Sequence, residues 1–536
     1  MKKYLSPLTL VLFTLLFVQC AKKGTPTGGE KDVLPPKYVR ATPENYSVNF
    51  KDDEIRIYFN EYIKLNKAQE QIIFSPPMDP KPEITPLGNA SKYIKIKLND
   101  TLKENTTYAF NFGTSVVDNN ENNPLPYFSY VFSTGSYIDS LSVTGTVSDA
   151  LLKQAEPFIS VMLYEINDTY SDSLVYTTPP RYITNTLDSL KTFSLNNLKA
   201  GTYQLVALKD LNNNYKFDPA KEKIAFLETP ITIPTDSSFN LTLFKEELAF
   251  KPERPKQLAK QKILIGYRGK LSLDSLTLNP VTNTPSNFEY RFTKVADKDS
   301  LHLWIKPAIE QDSLKFELIS SKKRDTLLTR LSEMPKDSLI ITTEPSGNIE
   351  FNNDFIIKGN TPLTGKNDSL IRIINKDSLP IDFTSQIRPL DNSIRIKFEK
   401  KESESYQISL FPGAVTDFYE ATNDTIVKVL RTKAFADYGN ITLNLQNVRE
   451  FPVIVQLTDE KGAVKSELYS TSESRLRFSN INPGKYLIRV IYDSNSNKKW
   501  DTGNYLKRIK PEEIIYFPEI MEVRANWDIN QTFILK

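Results

Sequence analysis

Two stretches far apart in this chain carry one pattern. FSLNNLKAGTYQLVALKDLNNNYKFD spans 193–218, and FSNINPGKYLIRVIYDSNSNKKWD spans 478–501. In both, a Gly-x-Tyr opens an apolar run that ends on an Asp. Gly201 to Asp210 has the same spacing as Gly484 to Asp493, and Asp210 to Asp218 the same as Asp493 to Asp501. Self-similarity on this scale means that the fold is assembled from repeated units. The units are read as β, because the runs are short, alternate in polarity, and end in Asn, Asp, Gly, Pro or Ser.

The alternation continues elsewhere. EIRIYF, KYIKIKL, YAFNF and FSYVFST lie within 54–134; ILIGY, FEYRF, LHLWI, LKFELI, SIRIKF and YLIRVIY come later. No long stretch has a convincing helical period. A chain of 536 residues is too long for one core, and 11% aromatic content supplies several. The expected fold class is all-β, with tandem β-sandwich domains.

Composition excludes several functions. The 68 basic and 65 acidic residues nearly balance, so no large cationic excess calls for nucleic acid. A single cysteine, Cys20, excludes internal disulfides and a cysteine-based zinc site. A single histidine, His302, excludes a histidine-cluster metal site. It lies in SLHLWIKP, where alternation puts Ser300, His302 and Trp304 on one strand face, and a half-exposed strand histidine is expected. Among Trp304, Trp500 and Trp527, Trp500 reads as a loop anchor. No constellation of paired carboxylates stands out, so the chain reads as no enzyme, with a hydrolase the weakest alternative.

The N-terminus, MKKYLSPLTLVLFTLLFVQC, joins Lys2 and Lys3 to an apolar run too short to cross a bilayer, which needs about 20 residues. FVQC at 17–20 resembles the lipobox of a bacterial lipoprotein signal, with Gln19 in place of the usual small residue. The resemblance implies cleavage before Cys20, acylation there, and a membrane partner reached through lipid. The expected location is the outer membrane facing the periplasm, with cell-surface display as the alternative. The Gly- and Pro-containing segment after it reads as a flexible tether.

TTYAFNFGTSVVDNNENNPLPYFSYVFSTGS, with Gly113, Val116, Asp118 and Phe132 to Gly135, closely resembles the SbsA-type bacterial Ig-like domain. SIRIKF and ESYQISLFPGAVTD echo it in a degenerate copy, which lacks a clear Phe-Ser-Thr-Gly ending. The Gly-x-Tyr strand with its Asp-Asn loop resembles prealbumin-like, or Cna-B-like, modules of surface proteins. The resulting layout is a signal at 1–19, lipidated Cys20 and tether at 20–36, and an Ig-like domain at 37–136. Next come a prealbumin-like sandwich at 137–250, a β-rich unit at 251–342, a degenerate Ig-like domain at 343–437 and a second prealbumin-like sandwich at 438–536. Within this layout KPERPKQLAKQK, at 251–262, reads as a linker.

In the Asp-Asn loops, Asp210, Asn212, Asn214 and Asp218 stand at positions 1, 3, 5 and 9, with the Lys216 carbonyl at 7. Asp493, Asn495, Asn497, Asp501 and the Lys499 carbonyl repeat the set. Calcium loops use that oxygen spacing. Against it, Tyr215 and Lys498 replace the Gly at position 6, Lys221 and Asn504 replace the Glu at 12, and Glu222 comes one place late. Two readings stay open: a weak structural calcium site, or an Asx-rich turn bonded to its own backbone.

Asp, then Ser or Thr, then Leu or Ile recurs twelve times, where roughly two or three would arise by chance. This resembles the Bacteroidota O-glycosylation acceptor. The implied acceptors are Thr101, Ser140, Ser173, Ser189, Ser275, Ser300, Ser313, Thr326, Ser338, Ser369, Ser378 and Thr425. A turn that hands over to a strand would give the same pattern. The functional expectation is a non-enzymatic, lipid-anchored envelope protein, a spacer or protein-binding scaffold. Its partner would be an envelope protein or a glycan; a carbohydrate-binding lipoprotein is the alternative.

Overall fold

The structure, a computed structural model, describes residues 31–187, 191–271, 276–320 and 323–536. The signal segment, Cys20, Ser189 and Ser275 lie outside the described residues. The fold is nearly all β, and the α-helices Ala68–Gln71 and Leu174–Thr177 are single turns. Among the described residues no helix is long and apolar enough to cross a membrane. Two compact units result, one ending at Ser140 and the other running from Leu141 to Lys536.

The first unit is a β-sandwich. One sheet orders Tyr38–Thr42, Glu54–Leu65, Ser91–Lys97 and Glu83–Thr85, with Val116–Asp118 paired to the far end of the long strand. The other orders Ile73–Ser75, Thr107–Asn111 and Ser129–Ser133. Alternation in EIRIYF drives Ile55, Ile57 and Phe59 inward, against Phe110, Tyr130 and Phe132 of the facing sheet. Each such side chain contributes about 1.5–3 kcal/mol on burial.

Within the second unit, residues 341–431 repeat this topology. Ile341–Glu344, Phe355–Gly359, Ser393–Phe398 and Phe383–Arg388 form one sheet in the same relative order. Ile371–Ile374, Ser405–Leu410 and Ile426–Arg431 form the facing one. The long strand of the first sandwich is here broken at Asn360–Pro362, and its continuation, Leu363–Lys366, pairs Val415–Asp417.

The same polar devices recur in both. Asp118 is buried, and its carboxylate accepts from the N–H groups of Asn120, Glu121, Asn122 and Asn123. Burial pushes this carboxyl up, but the four N–H groups outweigh it and hold it below the ordinary value. Asp417 accepts from Tyr419 and Ala421 in the copy. Tyr108 accepts from Lys103 N–H, as Tyr406 does from Lys401. Thr134 donates to the Lys103 carbonyl, as Thr432 does to Lys401. The Thr of the Phe-Ser-Thr-Gly ending is therefore retained inside Leu-Arg-Thr-Lys, where its neighbours hide it.

Residues 251–330 form a further sandwich, and here the linker reading is corrected. Lys251–Pro252 and Lys256–Ala259 are edge strands on Lys262–Arg268. Charged residues and proline suit a strand edge because they block further pairing, and the same composition imitates a linker.

The two Gly-x-Tyr stretches lie in sandwiches of identical strand order. The first has Tyr182–Asn185, Ser160–Glu165, Gly201–Leu208 and Ile224–Phe226 in one sheet, and Thr192–Leu198, Leu141–Asp149 and Ser238–Leu243 in the other. The second has Val464–Ser470, Val453–Thr458, Gly484–Tyr492 and Ile514–Tyr516, facing Arg475–Ile481, Gly439–Gln446 and Asp528–Ile534. In each, the last strand runs parallel to the first. The motif tyrosine bonds back four residues, Tyr203 to the Lys199 carbonyl and Tyr486 to that of Asn482. Its ring lies against the motif glycine, about 3.3 Å from where a Cβ would stand at Gly201 and 3.5 Å at Gly484.

Candidate functional site

The Asp-Asn loops follow from this architecture, since each leaves the end of a Gly-x-Tyr strand. Asp210 accepts from the N–H groups of Asn212, Asn214 and Tyr215, and Asn214 accepts from Lys216. Asp493 likewise accepts from Asn497 and Lys498, and Asn497 from Lys499. Tyr215 and Lys498, where a calcium loop would have Gly, both take positive φ, 58° and 63°. Asp501 accepts from the side-chain amides of Asn495 and Asn497. Asp218 accepts from Ala220 N–H.

A glutamate closes each loop. Glu222 is fully buried and accepts from the N–H of Leu211, the side-chain amide of Asn212 and the N–H of Asp218. Burial, and the nearby charges of Asp210 and Asp218, push its carboxyl up against the pull of the two backbone donors. In the second loop Glu512 takes the matching role, accepting from Ser494 N–H at 2.8 Å and Asp501 N–H at 3.0 Å. Sequence spacing counted forward from the first Asp misses Glu512 and places Glu222 out of register. Counting back from the next strand finds both, two residues before Ile224 and Ile514. Among the described residues no three His, Cys, Asp or Glu side chains gather closely enough to hold a metal ion by themselves. Amide and carbonyl oxygens would have to complete any calcium shell here. Phe217 and Trp500 fasten the loops, the first buried beside Tyr176, the second donating its indole N–H to the Glu512 carbonyl.

The two repeat sandwiches also meet. Residues 502–510 of the second form an arm closed by paired bonds between Asn504 and Ile509. Tyr505 is buried against Phe226 of the first sandwich, ring centres 5.3 Å apart, and its N–H donates to Glu246. Arg508 donates from Nε and Nη2 to Asp172, and from Nη1 to the Gln204 side chain and the Leu227 carbonyl. Arg489 and Tyr516 both donate to the Leu151 carbonyl. Beside this seam lies a cleft of about 620 Å³, lined among others by Phe226, Phe244, Asn240, Thr242, Glu512 and Tyr516. One wall carries Asn240 and the bonded hydroxyls of Ser148 and Thr242. Hydroxyls, an amide and aromatic rings share this lining with charges of both signs, Asp149, Glu512 and Glu513 with Lys153 and Lys510.

Of the remaining sites, His302 is half-buried. Burial and Lys262 push its imidazole down to about 4, so it is neutral near pH 7. Trp304 is fully buried, its indole donating to Thr293 under the Lys262 ammonium, whereas Trp527 is exposed. Thr101, Ser140, Ser173, Thr326, Ser338, Ser369, Ser378 and Thr425 are exposed, whereas Ser300 and Ser313 are half-buried. Ser300 and Ser313 begin strands, as the turn-to-strand alternative implies, whereas Thr326 sits in mid-strand.

The family of bacterial Ig-like domains matches residues 32–134. A search of curated proteins finds no match. Among solved structures, the chain is similar to SGBP-B of the Bacteroides ovatus mixed-linkage glucan utilization locus, in complex with a mixed-linkage heptasaccharide. That match has 10% identity and a TM-score of 0.18, covering 72% of this chain and 94% of that one. Surface layer protein SbsC, domains 1–6, gives 9% identity and 0.15, covering 87% and 66%. BcpA, the major pilin subunit of Bacillus cereus, gives 11% and 0.14, covering 74% and 99%.

Proposed function

We propose that this protein is a non-enzymatic scaffold of the cell envelope, held to the outer membrane by lipid on Cys20 and presenting its sandwiches to a protein partner. The observation that carries the scaffold reading is the cycle of contacts within the second unit. The first repeat sandwich bonds the next through Leu248 and Lys270, and that one bonds the degenerate Ig-like sandwich through Ile305 and Tyr419. The Ig-like sandwich stacks Phe351 on Phe435 at the start of the last module, whose arm returns to the first. Such mutual bracing supports a fixed spacer, in which binding geometry is preorganised. Metabolic labelling with palmitate, followed by capture of cross-linked partners from native membranes, tests this. Label and partner should both be lost in Cys20→Ser; a soluble, unlabelled native protein would refute the anchor.

The repeat sandwiches are read as prealbumin-like, with their Asp-Asn loops as stiffening elements and calcium as the cation they take. A melting temperature unmoved between chelator and millimolar calcium would end the calcium reading. The exposed Asp-Ser/Thr-Leu sites are read as glycan acceptors. An intact mass from the native cell that shows only lipid would end that reading. A second function, carbohydrate binding, is favoured by exposed tyrosines on the first sandwich.

A further inference from the structure

The first sandwich turns one sheet face to solvent, and that face is both aromatic and cationic. Arg40, Tyr58 and Tyr93 stand side by side on three neighbouring strands, because Tyr58 pairs with both Arg40 and Tyr93 in register. At the ~4.8 Å spacing of paired strands the row is about 10 Å long. The Arg40 guanidinium lies 3.9 Å over the Tyr58 ring, and the Tyr58 and Tyr93 centroids are 5.5 Å apart. Further along, Lys92 covers Tyr62, which is 56% exposed. Arg56, Lys95 and Lys97 extend the positive charge, and Glu54 and Glu83 offset part of it.

The fold does not require this row. In the second Ig-like sandwich the same register positions hold Thr342, Lys358 and Ser393. Topology, the buried Asp and the bond from backbone N–H to the Tyr108 or Tyr406 hydroxyl survive that change, so the aromatic pair is an addition to a working sandwich. An exposed, unrequired cluster of aromatics and arginine marks a binding surface.

We propose that this face binds an acidic polysaccharide. Tyr93 would pack on a sugar ring, while Arg40, held over Tyr58, and Lys95 take its carboxylates or sulfates. Tyrosine offers area at low entropic cost and a hydroxyl at its tip, and arginine binds planar oxyanions in a fork. A nucleic acid fits less well. Glu54 and Glu83 repel a uniformly charged backbone. A polymer with sparser charges meets the cations singly. The proposal rests on the carbohydrate-binding reading and deepens it.

The test uses the full chain in affinity electrophoresis through polygalacturonate, with neutral mixed-linkage glucan, oligothymidylate and phosphatidylglycerol vesicles as comparison probes. The variant is Arg40→Thr with Tyr58→Lys and Tyr93→Ser, which installs the second sandwich's own residues and leaves net charge unchanged. We expect retardation of the native chain by polygalacturonate and at least a tenfold loss of affinity in the variant, with melting unchanged. Undiminished binding by a folded variant overturns this face while leaving carbohydrate binding elsewhere, such as the seam cleft, intact. Binding to neither polysaccharide overturns both readings. Preference for oligothymidylate or vesicles overturns the assignment of ligand class.

Discussion

The repeat sandwich beginning at Leu141 and the one beginning at Gly439 share strand order, tyrosine corner and Asp-anchored loop, yet differ in the segment between that loop and the next strand. Glu222 comes four positions after Asp218, and Glu512 eleven after Asp501, so the second copy carries seven extra residues there. The loop closure is unaffected, because each glutamate is fixed by the strand after it rather than by the aspartate before it. The extra residues instead build the arm that docks on the first copy. Duplication has thus kept the module's internal bonds and placed the novelty in a connection, where length is tolerated at little cost.

That contrast can be broken at several points. Tyr505→Ala should have the largest effect, about 3–5 kcal/mol, since it empties a ring-sized pocket at the seam. Calorimetry should show the second unit's single transition split in two. Arg508→Ala should cost about 2–3 kcal/mol, because it leaves the Asp172 charge and the buried Gln204 without their partner. Faster proteolysis near the arm would report it, and an Arg508→Lys variant should recover only part, lacking the fork.

The loops offer a finer contrast. Glu222→Ala should lose about 2 kcal/mol and Glu512→Ala about 1, because the first is fully buried and the second only half so. Equal losses would show that the closures are not equivalent in the way their bonds suggest. An effect of similar size to the loop closures lies outside the repeat. His302 binds a proton only near pH 4 when folded but near pH 6.5 when unfolded. Between those values the unfolded state takes up more protons, so stability falls as pH drops from 6.5 towards 4. After discounting for the ring's partial exposure, about 1–2 kcal/mol is involved. The difference in pH–stability curves between native protein and His302→Gln isolates it.

Much of the architecture was legible because burial on one sheet face writes itself into every second residue. EIRIYF and SIRIKF declare their inward faces without any partner in view. The paired repeat was legible because the Gly-x-Tyr corner and the Asp anchor need fixed spacing along one strand. The edge strands at 251–259 were not, since an edge is selected for not looking like a strand. Glu512 and Thr432 were missed because their roles depend on hydrogen bonds measured from another strand. The arm's destination was hidden for a different reason. Seven additional residues are visible in a sequence, but the groove formed by Phe226, Glu246 and Asp172 is assembled from positions that only folding brings together.

The cycle of contacts has a mechanical consequence. Leu141 and Lys536, the two ends of the second unit, belong to the two sandwiches that the arm fastens together. Tension applied between those ends is carried across the Tyr505 and Arg508 seam and bypasses the two middle sandwiches. The seam would therefore act as a mechanical fuse. Its release should come first, and only then would the intervening sandwiches be drawn into line and loaded.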